Sequence, residues 1–221
     1  MGIDASVWTA ILRSLQYISK KNNCLTIGRQ RWDVDNIPVE KRVFCEEKLK
    51  ELGFGKVDSM DYSDYEGCSI IHDLNRPITI DNKFDFVLDG GTIEHIFNIP
   101  QVFENVIDLL EVGGIYCCLT VNNNFSGHGM YQFSPELFHC AFTEKYGMEI
   151  KEMYLAIEGS TYGWIDVWNN KHNDGINRTT SGFNTTHPVY IIMIAKKISD
   201  KRDSLITSPP SQYGYTVEWN T

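Results

Sequence analysis

The amino-acid sequence predicts a doubly wound α/β domain, with a mostly parallel seven-stranded sheet, helices on both faces and an antiparallel edge hairpin. Three observations lead there. Short apolar runs that end on glycine or aspartate alternate with stripes of helical period through most of the chain. After Gly147, two strand-like runs follow one another with no helical pattern between them, which implies antiparallel pairing. Finally, 221 residues at 42% hydrophobic and 22% charged are enough for one core of this kind, and no apolar run approaches bilayer-spanning length.

Taken in order, Val7, Trp8, Ile11, Leu12, Leu15 and Ile18 form one apolar face and predict an opening amphipathic helix. Cys24–Ile27 is the first strand and ends at Gly28; Pro38 is expected to open a charged helix that Gly53 closes. Lys56–Asp61, Ser69–Asp73 and Phe84–Asp89 are the next three strands, each finishing on an acid where a loop must begin. Val102, Phe103, Val106, Ile107 and Leu110 make a helical stripe, which Gly113 and Gly114 stop before the strand Ile115–Val121. Ser134 and Pro135 then start another helix, and Glu149–Ile157 and Val189–Ala195 are the antiparallel pair. The expected organisation is one domain over 1–198, with an insertion at 159–188 between the last two strands, and a polar tail over 199–221.

The formal charge of −9 opposes a phosphate backbone, so nucleic acid is not expected as a substrate. Met1–Lys20 lacks the basic start and small-residue cleavage site of a signal peptide, and the six cysteines show no CxxC pairing. A cytoplasmic protein with reduced thiols and no membrane attachment is expected, as a monomer or a homo-oligomer.

In an open parallel sheet, ligands bind beyond the carboxyl ends of the strands, at the point where strand order reverses. Gly28, Asp61, Asp73 and Asp89 are the residues at those ends, and acids there can receive hydroxyl and amino hydrogens of a nucleoside. Glu94 and His95 fall beyond the fourth strand, and Asn122, Asn123 and His128 beyond the fifth.

The run Phe84-Asp-Phe-Val-Leu-Asp-Gly-Gly-Thr-Ile-Glu-His-Ile96, followed by Val112-Gly-Gly-Ile115 and Tyr131-Gln-Phe-Ser-Pro-Glu-Leu-Phe138, resembles the second half of the class I S-adenosylmethionine-dependent methyltransferases. The resemblance extends from about Leu25 to Ala195 and implies S-adenosylmethionine as cofactor. By it, Gly28 would approach the methionine part, Asp61 the ribose and Asp73 the adenine, with Asp89 completing the cofactor set. The first loop departs from the family: Thr26-Ile-Gly28-Arg-Gln-Arg-Trp32 has one glycine and two arginines, and Gly28 stands farther from Asp61 than the usual interval of about 20 residues.

Methyl transfer needs an aligned acceptor and a group that removes its proton; His128 and His95 are the expected catalytic bases. Two imidazoles and a carboxylate at Glu94, His95 and His128 could also hold a divalent ion, but the resemblance expects a further glutamate where Gly91 stands, and the metal-free histidine is the reading adopted. Tyr131, Asn122, Trp164 and Trp168 are the expected substrate contacts, since flat aromatic faces beside amides suit a sugar. The function expected is O-methylation of a small polar acceptor, a sugar or nucleotide sugar; the alternative is a degenerate domain that binds or oligomerises without catalysis.

Overall fold

The computed structural model describes residues 2–34, 38, 43–167 and 186–212. The chain begins with a two-residue strand, β1 (Gly2–Ile3), and helix α1 (Ala5–Ser14), whose first turn is capped by Asp4 accepting the Val7 amide at 2.9 Å. There follow β2 (Asn23–Ile27), β3 (Arg31–Trp32), α2 (Cys45–Glu51), β4 (Lys56–Asp61), β5 (Ile70–Ile71) and β6 (Phe84–Gly90). Then come α3 (Ile99–Leu109), β7 (Leu110–Asn123), α4 (Pro135–Ala141), β8 (Met148–Ile157), β9 (Ile165–Asp166) and β10 (Val189–Lys197).

The main sheet has the order β5-β4-β2-β6-β7-β10-β8-β9. Its first five members pair in parallel, and β10 enters between β7 and β8 antiparallel to both. The chain leaves β2 toward β4 and β5, then returns to place β6 on the other side of β2. Strand order therefore reverses between β2 and β6. The sheet divides the core in two: α3 and α4 cover one face through Val102, Phe103, Val106 and Phe138, while α1 and α2 cover the other through Val7, Ile11, Cys45 and Leu49. Alternation along β7 assigns Tyr116, Cys118 and Thr120 to the α3 face and Ile115, Cys117, Leu119 and Val121 to the α1 face.

Several elements differ from their sequence expectation. The sheet has eight strands and not seven, because β9 pairs at the outer edge with Tyr154 and Leu155 of β8. A separate two-stranded ribbon joins β1 to β3. The helix expected from Pro38 begins only at Cys45: the Trp32 amide bonds Val43 O at 2.8 Å and Arg31 bridges Phe44, so the chain before Cys45 is held extended against β3. The strand expected over Ser69–Asp73 contracts to two residues: Ser59 and Ser69 each donate a backbone amide to the other's hydroxyl oxygen in place of ladder bonds. Gly113 and Gly114 do not precede β7 but lie inside it. There Gly113 has φ +93° and the register against β6 shifts between Phe84 and Phe86, so the pair makes a bulge.

The described part of the tail lies along α3. Arg202 pairs with Glu104 at 3.1 Å and Asp108 at 2.6 Å, and Leu205 is buried. Among the described residues no helix is long and apolar enough to cross a membrane.

Candidate functional site

The reversal between β2 and β6 brings Ile27 opposite Asp89 and leaves Gly28 at the rim with φ +76°. Gly28 donates its amide to Met60 O at 2.7 Å, and Thr92 closes over it by donating its hydroxyl to Ile27 O at 2.8 Å. A Cβ at position 28 would stand 2.6 Å from Thr92 Oγ1, so glycine is required by contact as well as by φ. Gln30 folds over Gly90, is 2% exposed, and keeps its Oε1 without a hydrogen-bond partner.

Asp61 closes β4 at the same rim and is half-buried; its carboxylate accepts the Arg29 amide at 3.1 Å and the Tyr62 amide at 2.7 Å. The Arg29 side chain spans the loop. It pairs with Glu46 at 2.9 Å, donates to Glu66 O and Gly67 O, and stacks over Phe44 at 3.9 Å. These fixed contacts tie the β2 loop to the loop between β4 and β5.

A second cluster stands beyond β6 and β7. Residues Ile93–His95 form one 3-10 turn, and Glu94 points inward, fully buried. Its Oε2 accepts the Thr120 hydroxyl at 2.9 Å, while Oε1 has no hydrogen-bond partner. His95 Nε2 lies 3.9 Å and His128 Nε2 3.8 Å from that Oε1, and the two rings meet edge to face at 5.0 Å. The loop after β7 is clasped onto Glu94: Met130 and Tyr131 donate their amides to Glu94 O at 2.8 and 3.3 Å. Gly129 lets the loop close this near, because a Cβ there would stand 2.8 Å from the same oxygen. Burial lowers the pKa of His95 below the ordinary imidazole value; the Glu94 charge opposes this and the neighbouring His128 adds to it.

Not every residue expected at the site arrives there. Asp89 does not face the crevice. Its carboxylate is fully buried, accepts the Thr92 amide at 2.9 Å and the Tyr116 hydroxyl at 3.3 Å, and has its pKa pushed up to about 7 by burial and then by the Glu94 charge. In this position it buttresses the rim from beneath. Asp73 lies in the turn after β5 and is held by Asn75, whose side chain and backbone amide lower its pKa. Asn122 donates to Phe133 O at 2.7 Å and so holds the loop rather than facing open space.

Tyr131 donates its hydroxyl to Phe97 O at 2.8 Å and lines a pocket of about 370 Å³ with Phe97, Phe133, Ser134 and Leu137. Trp164 is on the other face of the sheet. It packs on Tyr154 and donates its indole N–H to Ser160 O at 2.9 Å, so it does not join Tyr131 in one aromatic site. Trp168 lies outside the described residues.

Sequence reasoning missed Thr120 and Gln30. A lone hydroxyl in the apolar run Cys117-Cys118-Leu119-Thr120-Val121 was the available signal for the first. Nothing local marked the second.

No family model matches the sequence. No curated protein matches it either. Solved structures do match in fold. One is a Haloferax volcanii protein described as a methyltransferase, in complex with the Trm112 methyltransferase activator, at 12% identity over 89% of this chain and 92% of that one, with a TM-score of 0.52. A second is the O-methyltransferase from a Brevibacillus brevis trans-AT PKS multienzyme in complex with S-adenosyl-L-homocysteine, at 12% identity over 84% and 71%, TM-score 0.51. A third is a [4+2]-cyclase, at 12% identity over 86% and 80%, TM-score 0.51. At such identities the likeness is one of architecture, and what it establishes is that the chain has the Rossmann-like fold of the class I S-adenosylmethionine-dependent methyltransferases.

Proposed function

We propose that this chain is an S-adenosylmethionine-dependent O-methyltransferase acting on a small molecule that bears a hydroxyl. The observation that carries the reading is the reversal of strand order between β2 and β6, with Gly28, Gln30 and Asp61 at one part of its rim and Glu94, His95 and His128 at another. When bound, the cofactor supplies a methyl carbon already activated by a sulfonium; the protein aligns an acceptor and takes its proton.

Asp61 has carboxylate lone pairs beyond those used by two amides and suits ribose hydroxyls. The unpaired Gln30 Oε1 suits an ammonium donor at the methionine end, and Gly28 leaves the backbone bare for close approach. Asp73 is the candidate for the adenine end. The imidazoles of His95 and His128, half open to solvent above a buried carboxylate, are the groups to receive the acceptor proton.

For the acceptor, the apolar pocket beside Tyr131 favours an apolar body over the sugar that the tryptophans suggested, because Trp164 is engaged on the opposite face. The proposal places the reaction in the 1–198 domain, with 199–221 as a tail. It places the protein in a reducing compartment such as the cytoplasm, in keeping with six free thiols. Nucleic acid is left out because of the −9 charge, and a second copy of the chain is the protein partner proposed.

A non-catalytic binding domain is the second reading. The observation in its favour is Arg29, which ties the β2 loop down through Glu46, Glu66 and Gly67 where the resemblance expects several glycines. Titration with S-adenosylhomocysteine separates the two. A ligand that binds only the native state raises stability by about 2.7 kcal/mol at one hundred times its dissociation constant, so melting should shift upward. Neither heat of binding nor a shift at millimolar ligand would leave the binding-domain reading.

A further inference from the structure

We propose that Glu94, His95 and His128 form a binding site for one divalent transition-metal ion, reversing the metal-free expectation drawn from the sequence. The inference goes beyond methyl transfer and stands or falls separately from it.

The starting point is the fully buried carboxylate of Glu94. Thr120 occupies Oε2, and Oε1 is left with no hydrogen-bond partner. A buried polar atom without a partner is unfavourable, and a carboxylate oxygen more so than a neutral one. Both imidazoles turn Nε2 toward that oxygen, yet at 3.9 and 3.8 Å neither reaches hydrogen-bonding distance. The three ligand atoms lie within 4.8 Å of one another. An ion held at about 2.0–2.2 Å by nitrogen and oxygen separates its ligands by roughly 3–3.5 Å. The two gaps to Oε1 are a few tenths of an ångström wider than this, and with the whole set spread over as much as 4.8 Å the two half-exposed histidines must rotate toward each other to close on an ion.

The surroundings prepare the cluster for such a ligand. Thr120 orients the carboxylate as an outer partner does at metal sites. The bonds from Met130 and Tyr131 to Glu94 O fix the His128 loop relative to the turn that carries His95. The histidines are 45% and 37% exposed, which leaves the outer side open for entry and for further ligands. Two imidazoles and one carboxylate select a borderline ion such as Zn²⁺, Co²⁺ or Ni²⁺ over Mg²⁺ or Ca²⁺, which prefer oxygen. A hydroxyl that joined such an ion would lose its proton more readily, and both histidines would then matter equally to the acceptor.

The test uses the full chain stripped with chelator and titrated with Co²⁺ alone, with no cofactor or acceptor present. The expected result is one Co²⁺ per chain, visible d–d bands from mixed nitrogen and oxygen ligands, and displacement by Zn²⁺ but not by Mg²⁺. Thr120→Val should weaken binding by roughly 10–100-fold, as loss of an outer partner does, and Glu94→Gln by more. His95→Ala, which removes a half-exposed ring and spares the core, provides a variant that folds even if a change at Glu94 does not. Two results overturn the proposal: no Co²⁺ bound by equilibrium dialysis at millimolar metal, or binding that His95→Ala and His128→Ala both leave unchanged.

Discussion

The two parts of the rim pose the same problem in different currencies of charge. Beyond β2, Gln30 keeps a buried amide oxygen unpaired; beyond β6, Glu94 keeps a buried carboxylate oxygen unpaired. Around Gln30, Thr92 bonds Ile27 and Asp61 accepts two amides, and although Glu46 leaves its buried Oε2 without a hydrogen-bond partner, its charge is already met by Arg29 at 2.9 Å. Around Glu94, two imidazoles approach and stop short. A neutral orphan is a modest liability that a ligand's N–H can relieve, whereas a charged one calls for a cation or a proton. On the proposed function, the difference assigns holding to the β2 loop and reaction to the histidine cluster.

That division predicts a double dissociation, and it carries the largest effects expected here. His128→Ala should lower turnover by roughly 10²–10⁴-fold while leaving S-adenosylhomocysteine affinity nearly intact, because in the proposed function the histidine serves the acceptor and its proton. Asp61→Ala should do the converse, weakening S-adenosylhomocysteine by about tenfold or more, the contribution of a hydrogen bond to a charged group, with turnover at saturating cofactor little changed. Calorimetry and single-turnover rates on both variants decide it. If each variant damages both quantities equally, the two parts do not have separate roles.

How much of this was legible in the sequence depended on whether a signal was local. The strand ends were: Lys56–Asp61 is β4 to the residue, and Phe84–Asp89, an apolar run closed by an acid, misses β6 by one. The Glu94-His95 pair was visible too, standing just past such a strand. Direction was not legible. Asp61 and Asp89 look alike in sequence, yet one turns to the rim of β4 and the other from β6 into the α3 face beside Tyr116 and Cys118, a choice set by which side of its own strand each position faces. Contacts across long separations were equally hidden. Thr120 meets Glu94, Glu66 meets Arg29 and Arg31, and Trp164 sits beside Arg13 on the far face only once strand order is known.

Asp89 offers the next largest effect, through pH. Its native pKa of about 7 stands above the ordinary 3.8, so between these values the native state holds a proton that the unfolded chain releases. Stability from this group is therefore greatest below pH 4, declines as pH rises, and levels off above 7. At about 1.4 kcal/mol per pH unit, the decline from pH 5 to 7 is on the order of 2–3 kcal/mol. Asp89→Asn keeps an oxygen for the Thr92 amide and cannot ionise, so its stability should vary less over that interval and exceed wild type at pH 8. Parallel denaturation curves for the two proteins across the interval would show that Asp89 is ionised in both states.

A smaller effect is expected at Gly28. Alanine there must adopt φ +76° and place Cβ 2.6 Å from Thr92 Oγ1, breaking the hydroxyl bond to Ile27 O. A loss of roughly 1–3 kcal/mol is expected by chemical denaturation. Adding Thr92→Ala should recover the contact part of that loss but not the backbone part. Full recovery would mean that the positive φ imposes no constraint at this position.

The smallest change in stability is expected for Gln30→Met, and it tests the neutral side of the comparison most directly. The amide of Gln30 makes one long bond, 3.3 Å from Nε2 to Ile27 O, and that carbonyl already accepts the Thr92 hydroxyl at 2.8 Å. Removing the amide therefore strands no acceptor, while it does remove an unpaired buried oxygen. Methionine has similar length and can fill the space over Gly90. The two effects offset or favour the variant, so stability should stay within about 1 kcal/mol of wild type or rise by that much. If Gln30 Oε1 receives the ammonium of the cofactor's methionine end, S-adenosylhomocysteine affinity should nonetheless fall several-fold. A variant that is clearly destabilised would show that Gln30 is a structural clamp of the β2 loop. One that is stable and binds S-adenosylhomocysteine as before would take the orphan oxygen out of the cofactor site and leave Gly28 and Asp61 as its proposed contacts.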